Sequence, residues 1–287
     1  MIKKAVWGIA IAAVGFFGWK MFFIKPEVAT EAKLAGSVQE VPPGLEHKVL
    51  SFSIDGRSPK GVKQWHLEGN SAEIVEDDIH LRDLKAIAYS EEATINLVSE
   101  KGIYRKAKGE VELIGNVLVT TDKGVELTTE RAKWSQHTKE ISSDAIVHIT
   151  GEGMKAVGKG AMANADEQIA MLLQDVMVLM EPGTQVNSDG KLVVDFKGNK
   201  AVFNDNVLVE DKDGKLIADK LTVEMAPGSK QIVQVIAEGN VKLKRGKSYT
   251  ISDKAVYTDS TKHAELSGRP RIVIDPSELA ELEKTKL

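Results

Sequence analysis

The tripeptide Gly246-Lys247-Ser248 has the ending of a P-loop, in which glycine-rich backbone and a lysine close around phosphates. Position 241 is Val where that loop requires Gly, and the segment alternates as a strand does, so nucleotide binding is not expected. His66-Leu67-Glu68 matches the start of a zinc-deaminase signature, but the remaining ligands of that site are cysteines and the chain has none. The same absence removes disulfides, thiolate metal sites and Cys nucleophiles. The six histidines (His47, His66, His80, His137, His148, His263) contain no i, i+4 pair and no recurring acid partner, so each reads as structural or surface. Glu76-Asp77-Asp78 has the carboxylate density of a metal site, yet it falls between two alternating runs and reads as a solvated turn. No catalytic residue, metal or cofactor is predicted, and the chain reads as a non-enzyme.

The elements that would carry any function divide the chain unevenly. Six of fifteen aromatic residues (Trp7, Phe16, Phe17, Trp19, Phe22, Phe23) lie in the first 24 positions. Residues 5–24 read AVWGIAIAAVGFFGWKMFFI, with Lys20 the single charge, long enough as a helix to span a hydrocarbon core of about 30 Å. Lys3 and Lys4 precede the span, while Lys20 and Lys25 at its other end are soon followed by Glu27 and Glu31, a balance that favours a cytoplasmic N-terminus and an extracytoplasmic remainder. The competing reading is a cleaved signal peptide, for which Thr30 and Ala32 are the nearest small residues, behind Pro26. Pro26, Pro42, Pro43 and Gly44 mark residues 26–45 as an extended linker. The chain carries −4 overall and three lysines of the first 24 residues contribute +3, so the rest carries −7. With no Lys/Arg-rich run, such a body is a poor partner for nucleic acid.

After the linker, short alternating runs broken by Gly, Asn and Asp replace any long helical period. A first landmark places a small residue, two variable positions, a small or apolar residue, one variable position and an apolar or aromatic residue. It occurs at Gly69, Ala72, Ile74; Ser99, Gly102, Tyr104; Thr129, Ala132, Trp134; Gly158, Ala161, Ala163; Ala218, Leu221, Val223; and Ser252, Ala255, Tyr257. A degraded copy is Ser188, Lys191, Val193. The middle residues stand at 72, 102, 132, 161, 191, 221 and 255, in steps of 30, 30, 29, 30, 30 and 34. A second landmark, Gly115-Asn116-Val117, Asp205-Asn206-Val207 and Gly239-Asn240-Val241, reads as the lead-in to an alternating strand, with looser copies at Asp144-Ala145-Ile146 and Asp175-Val176. A period near 30 with strand alternation predicts about seven units of two or three strands, stacked around a continuous apolar interior.

Val, Ile, Leu and Ala dominate that interior, which suits acyl chains better than stacked rings or sugars. The inward positions expected to line a groove are Val117, Val119, Val147, Ile149, Val176, Val178, Val207, Val209, Val241 and Leu243. Their alternative is a fully packed core with no groove. Tyr104, Trp134 and Tyr257 read most simply as core, and as groove lining otherwise. An acidic body gains nothing from bulk attraction to an anionic lipid, so burial at about 0.8 kcal/mol per CH₂ is expected to dominate, with little dependence on salt.

The anchor, the linker, Trp65-His66-Leu67-Glu68-Gly69-Asn70-Ser71-Ala72 and the run from Gly102-Ile103-Tyr104 through Gly115-Asn116-Val117 to Trp134 resemble the LptC family of lipopolysaccharide export. Gly214 to Val223 followed by Ile236-Ala237-Glu238-Gly239-Asn240-Val241 is similar to the OstA/LptA bridge module. The resemblance implies an all-β, elongated β-jellyroll (β-taco) of about seven repeats behind one N-terminal transmembrane helix. Its implied divisions are an anchor at 1–25, a periplasmic linker at 26–45, an LptC-like jellyroll at 46–182, an OstA/LptA-like extension at 183–275, and a short helix or tail at 276–287. It further implies a periplasmic chain on the inner membrane of a Gram-negative bacterium, with lipopolysaccharide as cargo. The implied partners are an ABC transporter with LptB/LptF/LptG-like subunits and an LptA-like bridge protein joined by edge-strand pairing. The chain is longer than LptC-like proteins usually are, so the C-terminal half could itself do part of the bridging. A structural spacer or stalk without lipid cargo is the alternative function.

Overall fold

The alternating runs fold as antiparallel strands, most of them 10 to 14 residues long. The computed structural model describes residues 48–57, 61–76, 78–89, 94–151, 153–164, 166–229 and 231–277. The expected anchor, the expected linker and residues 278–287 of the expected terminal segment lie outside the described residues. Among the described residues no helix is long and apolar enough to cross a membrane.

Among the described residues seventeen strands follow one another: β1 (Lys48–Arg57), β2 (Lys63–Val75), β3 (Asp78–Tyr89), β4 (Thr94–Arg105), β5 (Glu110–Thr121), β6 (Glu126–Ser135), β7 (Glu140–Gly151), β8 (Met154–Asn164), β9 (Ile169–Met180), β10 (Thr184–Ser188), β11 (Leu192–Asp195), β12 (Lys200–Asp211), β13 (Gly214–Met225), β14 (Ile232–Arg245), β15 (Ser248–Thr258), β16 (His263–Ser267) and β17 (Arg271–Val273). They fall into two compact units. The C-terminal unit holds Gly153–Gly158 and the chain from Met171 onward, and the N-terminal unit holds the chain to residue 151 together with Lys159–Ala170. In the N-terminal unit β1 to β7 form a simple meander. In the C-terminal unit β12 to β15 do the same. There β10 and β11 pair with opposite halves of β12, and β16 and β17 with opposite halves of β15, so each couple is one strand broken in the middle.

The break recurs because nearly every long strand bends at mid-length. In β5 the pairing with β6 jumps from Ile114↔Arg131 to Val117↔Thr129, leaving Gly115 and Asn116 as a bulge. Asp205-Asn206 in β12 and Gly239-Asn240 in β14 repeat it. All six residues have positive φ, from 44° to 82°, which Gly and Asn adopt at least cost. A bulge of this kind turns the strand and re-aims its side chains. A carboxylate on the preceding segment meets each bulge: Asn116 Nδ2 donates to Glu100, Asn206 Nδ2 to Asp189 at 2.8 Å, and Asn240 Nδ2 to Asp219 at 2.9 Å. A Cβ on Gly239 would stand 2.3 Å from Asp219 Oδ2, so a side chain there would have to displace the carboxylate that Asn240 holds.

The first landmark is the partner half of the same corner. Ser99, Ser188, Ala218 and Ser252 are buried immediately before Glu100, Asp189, Asp219 and Asp253. Ser99 and Ser252 donate to the carbonyls two residues on, at 2.6 and 3.1 Å, which satisfies a hydroxyl in an apolar interior. Two outward residues follow, and the next position points inward again. The Gly/Asp-Asn-Val landmark, expected to begin a strand, therefore lies in the middle of one. Two copies deviate: Ile74 is exposed, and after Ser188 three residues pass before Leu192 returns inward.

Each bent strand contributes two arms, one on either side of the corner. Arm A of the N-terminal unit supplies Phe52, Leu84, Leu97 and Val117, and arm B supplies Leu81, Leu113 and Ala132, to one apolar cluster. Within each unit the sheet is thus folded onto its own apolar face. That geometry lets a single meander bury side chains that a flat sheet would expose on both sides.

Candidate functional site

The folded sheet of the C-terminal unit encloses a cavity of about 360 Å³. Its arm A wall is a cross-strand row, Val209↔Leu216↔Leu243↔Thr250↔Ile272, in continuous register over five strands. The arm B wall contains Phe203, Leu221, Ala237, Ala255 and Tyr257. Leu221, Ala237 and Ala255 are successive cross-strand partners, so two methyl side chains stand side by side where the facing wall carries leucines. That shortage of volume leaves space between arms that would otherwise meet. The lining runs from buried Phe203 to exposed Ile272 and Val273, so the cavity reaches the surface.

Of the ten residues expected to line a groove, seven are buried and Val119, Val209 and Leu243 are half-buried, each within its own unit. Val117, Val147, Val176, Val207 and Val241 occupy the row next to the corner, and each is at most 2% exposed. There the arms are too close for a guest, and the packed-core alternative describes these positions. Val119, Ile149, Val178, Val209 and Leu243 sit one step farther along arm A. Val209 and Leu243 are half-buried and line the cavity. Ile149 and Val178 are packed, and Val119 packs half-buried against the N-terminal cluster. Of the aromatic landmarks, Tyr257 lines the cavity, while Tyr104 and Trp134 are half-buried in the N-terminal unit.

The cavity mouth holds residues that the pattern of alternation concealed. The hairpin tips β12–β13 and β14–β15 bring Asp211, Asp213, Gly214, Lys215, Lys244, Arg245 and Ser248 to the cavity edge. Asp211 Oδ1 accepts the N–H groups of Asp213 and Gly214, both at 2.8 Å, and shapes the first tip. Gly214 lies against β14 so closely that a Cβ there would stand 2.2 Å from the Lys244 carbonyl oxygen. The sequence signal was present and corrects the expectation of a body with no Lys/Arg-rich run, because residues 242–247 (KLKRGK) contain four cations and no acid.

A second polar cluster lies in the N-terminal unit. Asp55 Oδ1 accepts from Lys63 Nζ and pairs with His66 Nδ1, both at 2.7 Å, and His66 Nε2 faces Glu68 at 3.5 Å. The Lys63 hydrogen bond, then that of His66, holds the Asp55 carboxyl below its ordinary value of 3.8. Lys133 does the same for Glu110. Among the described residues no group of three or more His, Asp or Glu side chains is placed to hold a metal ion. His66 and Glu68 belong to a polar network around Asp55 that joins β1 to β2. Glu76 sits in the turn between β2 and β3, while Asp78 belongs to β3 and pairs with Arg105.

Comparison with known proteins bears on this arrangement directly. The model of the LptA/(LptD N-terminal domain) LPS transport protein family matches residues 185–281, which supply most of the cavity lining. The model of the LptC-related lipopolysaccharide-assembly family matches residues 29–181. Among solved structures, LptH of Pseudomonas aeruginosa is described as the LptA homologous periplasmic component of the conserved lipopolysaccharide transport device. It is 15% identical over 43% of this chain and 95% of its own, with a TM-score of 0.36. No curated protein gives a significant match. The LptC-related match spans more than half of the 287 residues, and the chain belongs to the LptC-related lipopolysaccharide-assembly family.

Proposed function

We propose that this chain carries lipopolysaccharide between membranes, holding its acyl chains between the two arms of the folded sheet. The observation that carries the reading is the C-terminal cavity, walled by aliphatic side chains in cross-strand register and continuous with the surface at Ile272 and Val273. Acyl methylenes moved from water into such a site gain about 0.8 kcal/mol each, and several chains on one head group multiply that gain. A mainly aliphatic wall, with Thr184, Thr250 and Tyr257 among its few hydroxyl-bearing members, recognises chain volume more than chain identity.

The chain is anchored in the inner membrane through residues 5–24, with its bulk in the periplasm of a Gram-negative cell. It accepts lipid from an ABC transporter with LptB/LptF/LptG-like subunits and passes it toward the outer membrane. The membrane partner supplies the energy of ATP hydrolysis, since this chain has no P-loop. An LptA-like bridge protein continues the path by strand pairing at an exposed edge, with the C-terminal unit as the half from which lipid leaves.

Photo-crosslinking amino acids at Val209 and Leu243, with Ile217 on the outward face as control, test the reading in living cells. Lipid adducts are expected at the first two sites and not at the third. Equal labelling at all three would remove the groove. Affinity purification from membranes adds an independent readout: transporter subunits and a multi-acylated glycolipid are expected to copurify, whereas a lipid-free monomer favours the stalk.

A further inference from the structure

The outward face of arm A in the C-terminal unit is cationic, although the chain as a whole is acidic. Cross-strand register lays out its outer row as Glu210, Lys215, Lys244, Tyr249 and Val273, one residue from each of five strands. The next row toward the corner is Leu208, Ile217, Lys242, Ile251 and Arg271. Along β12 and β14 these residues alternate with Val207, Val209, Val241 and Leu243, which turn inward, so both rows stand on the outside of the folded sheet. Four cations thus share one face with a single acid. Glu210 pairs with Lys215, and Lys242 lies over the Tyr249 ring at 4.7 Å. Among the described residues Lys244 and Arg271 have no ion-pair partner, and both are exposed. Lys215 and Lys244 are direct cross-strand partners, an arrangement of like charges that costs stability. The repeat does not impose that cost. In the N-terminal unit the outer row of the same face is Asn96, Thr120, Glu126 and Thr150. Its inner row is Val98, Leu118, Thr128 and His148, so neither row holds a Lys or an Arg.

We propose that this face docks on an anionic bilayer surface. Lys and Arg reach anionic head groups with their charged ends and lay their methylene stems along apolar surface. Ile217, Tyr249 and Val273 stand between them and enter the boundary between head groups and acyl chains, where tyrosine is favoured. Charge alone would also suit an acidic protein. The exposed apolar side chains interleaved with the cations favour a bilayer, which offers mobile anions and an apolar layer together. Each Lys or Arg held near such a surface adds about fivefold to the affinity, and salt screens that gain. Lys215, Lys244, Tyr249 and Val273 also border the cavity mouth, so docking brings the mouth to head-group level. The contact itself does not depend on what the cavity holds.

The chain has no cysteine, so Ile217→Cys can carry a single environment-sensitive dye, with Thr128→Cys on the N-terminal face as its control. The full-length protein is presented in phosphatidylcholine nanodiscs and mixed with vesicles of phosphatidylcholine, alone or with phosphatidylglycerol. The dye at 217 is expected to report contact with the anionic vesicles at least about tenfold more tightly than with the neutral ones. The dye at 128 is expected to stay silent. Lys242→Gln with Arg271→Gln, neither of which lines the cavity, is expected to remove most of the preference. Adding Lys215→Gln and Lys244→Gln, or raising salt from about 50 to 500 mM, is expected to abolish it. Lys106→Gln with Lys108→Gln removes the same charge as the first pair from the β4–β5 turn and is expected to change nothing. Thermal midpoints show that each variant is folded, and the double variant keeps the test open if the quadruple one unfolds. Equal response to both vesicle types, or a preference that survives the four substitutions, overturns the proposal. So does an equal loss in the β4–β5 control. Contact with neither vesicle overturns it as well and assigns the face to an acidic protein. Ala237→Leu is expected to leave vesicle contact unchanged, so failure here leaves the acyl-chain reading of the cavity standing.

Discussion

Asn240 Nδ2 donates to Asp219 Oδ2 at 2.9 Å, tying the bulge of β14 to the outward corner of β13. Asn240 holds φ at 47°, a conformation that costs an ordinary L-residue about 1 to 2 kcal/mol. Asn240→Val combines that strain with the lost hydrogen bond and is expected to destabilise the chain by about 2 to 3 kcal/mol. Asn240→Gly loses only the bond and is expected to cost about 1 kcal/mol. Denaturant unfolding of the two variants compares them directly. Equal losses would mean that the corner is held by something other than backbone conformation.

Val241 and Leu243 are two residues apart on one face, yet they should answer different questions. Val241 is 1% exposed in the corner row, so Val241→Ala is expected to cost about 2 kcal/mol through the cavity it leaves. Leu243 already borders empty space, so Leu243→Ala is expected to cost less stability while weakening lipid capture. A larger loss of stability at 243 than at 241 would place the packed core where the cavity is drawn.

How much of this was legible in the sequence follows from what each signal encodes. The 30-residue beat showed the strand meander, because each unit is two strands and two turns of nearly fixed length. Burial was legible from alternation, since seven of the ten named residues are buried and the other three half-buried. Alternation repeats every two residues along a strand and is blind to distance from the corner, so it could not separate packed Val207 from lining Val209. The corner itself was written twice, as Ser99-Glu100 and as Gly115-Asn116, on neighbouring strands. Pairing the two needs the register, which no single stretch of sequence contains. The cavity depends on Ala237 facing Ala255 across a strand pair, eighteen residues apart in the chain, and was invisible for the same reason.

That alanine pair gives a direct way to close the cavity. Ala237→Leu and Ala255→Leu each add side-chain volume on the arm B wall, opposite the arm A leucines. Filling existing space should leave stability unchanged or slightly raised, in contrast to the usual cost of overpacking. Each acyl methylene displaced removes about 0.8 kcal/mol of binding, so a leucine that excludes two or more should weaken lipid affinity by at least about tenfold. Unfolding of either variant would show that the arms are already in contact there. Unchanged affinity in a folded variant would move the lipid elsewhere.

Acid should loosen the N-terminal unit through Asp55. Its folded pKa lies below the ordinary 3.8 because Lys63 and His66 hydrogen-bond the carboxylate. A depressed folded pKa means that the stabilisation is complete above the unfolded value and is lost as pH falls through the folded one. Wild type is therefore expected to lose stability relative to Asp55→Asn only below about pH 4. NMR titration of the Asp55 carboxyl in Lys63→Met is expected to show the pKa rising toward 3.8. A pKa that stays depressed without Lys63 would give His66 the larger role.

The outer strand of the C-terminal unit is where a bridge partner is expected to add. β17 is three residues long, pairs with Tyr249–Ile251, and leaves Ile272 67% exposed beside exposed Val273 and Ile274. A strand so short contributes little to the unit's own core, so Ile272→Pro removes at most one ladder donor from a marginal element. The same change blocks main-chain pairing with an incoming strand, which needs an uninterrupted run of donors and acceptors. Ile272→Pro is expected to abolish capture of an LptA-like bridge protein while moving the thermal midpoint by no more than about 4 °C. Ile272→Thr, which keeps the N–H and loses the apolar surface, is expected to retain most of the docking. Loss of fold in the proline variant with docking intact in whatever remains folded would show that the partner meets this chain at another edge.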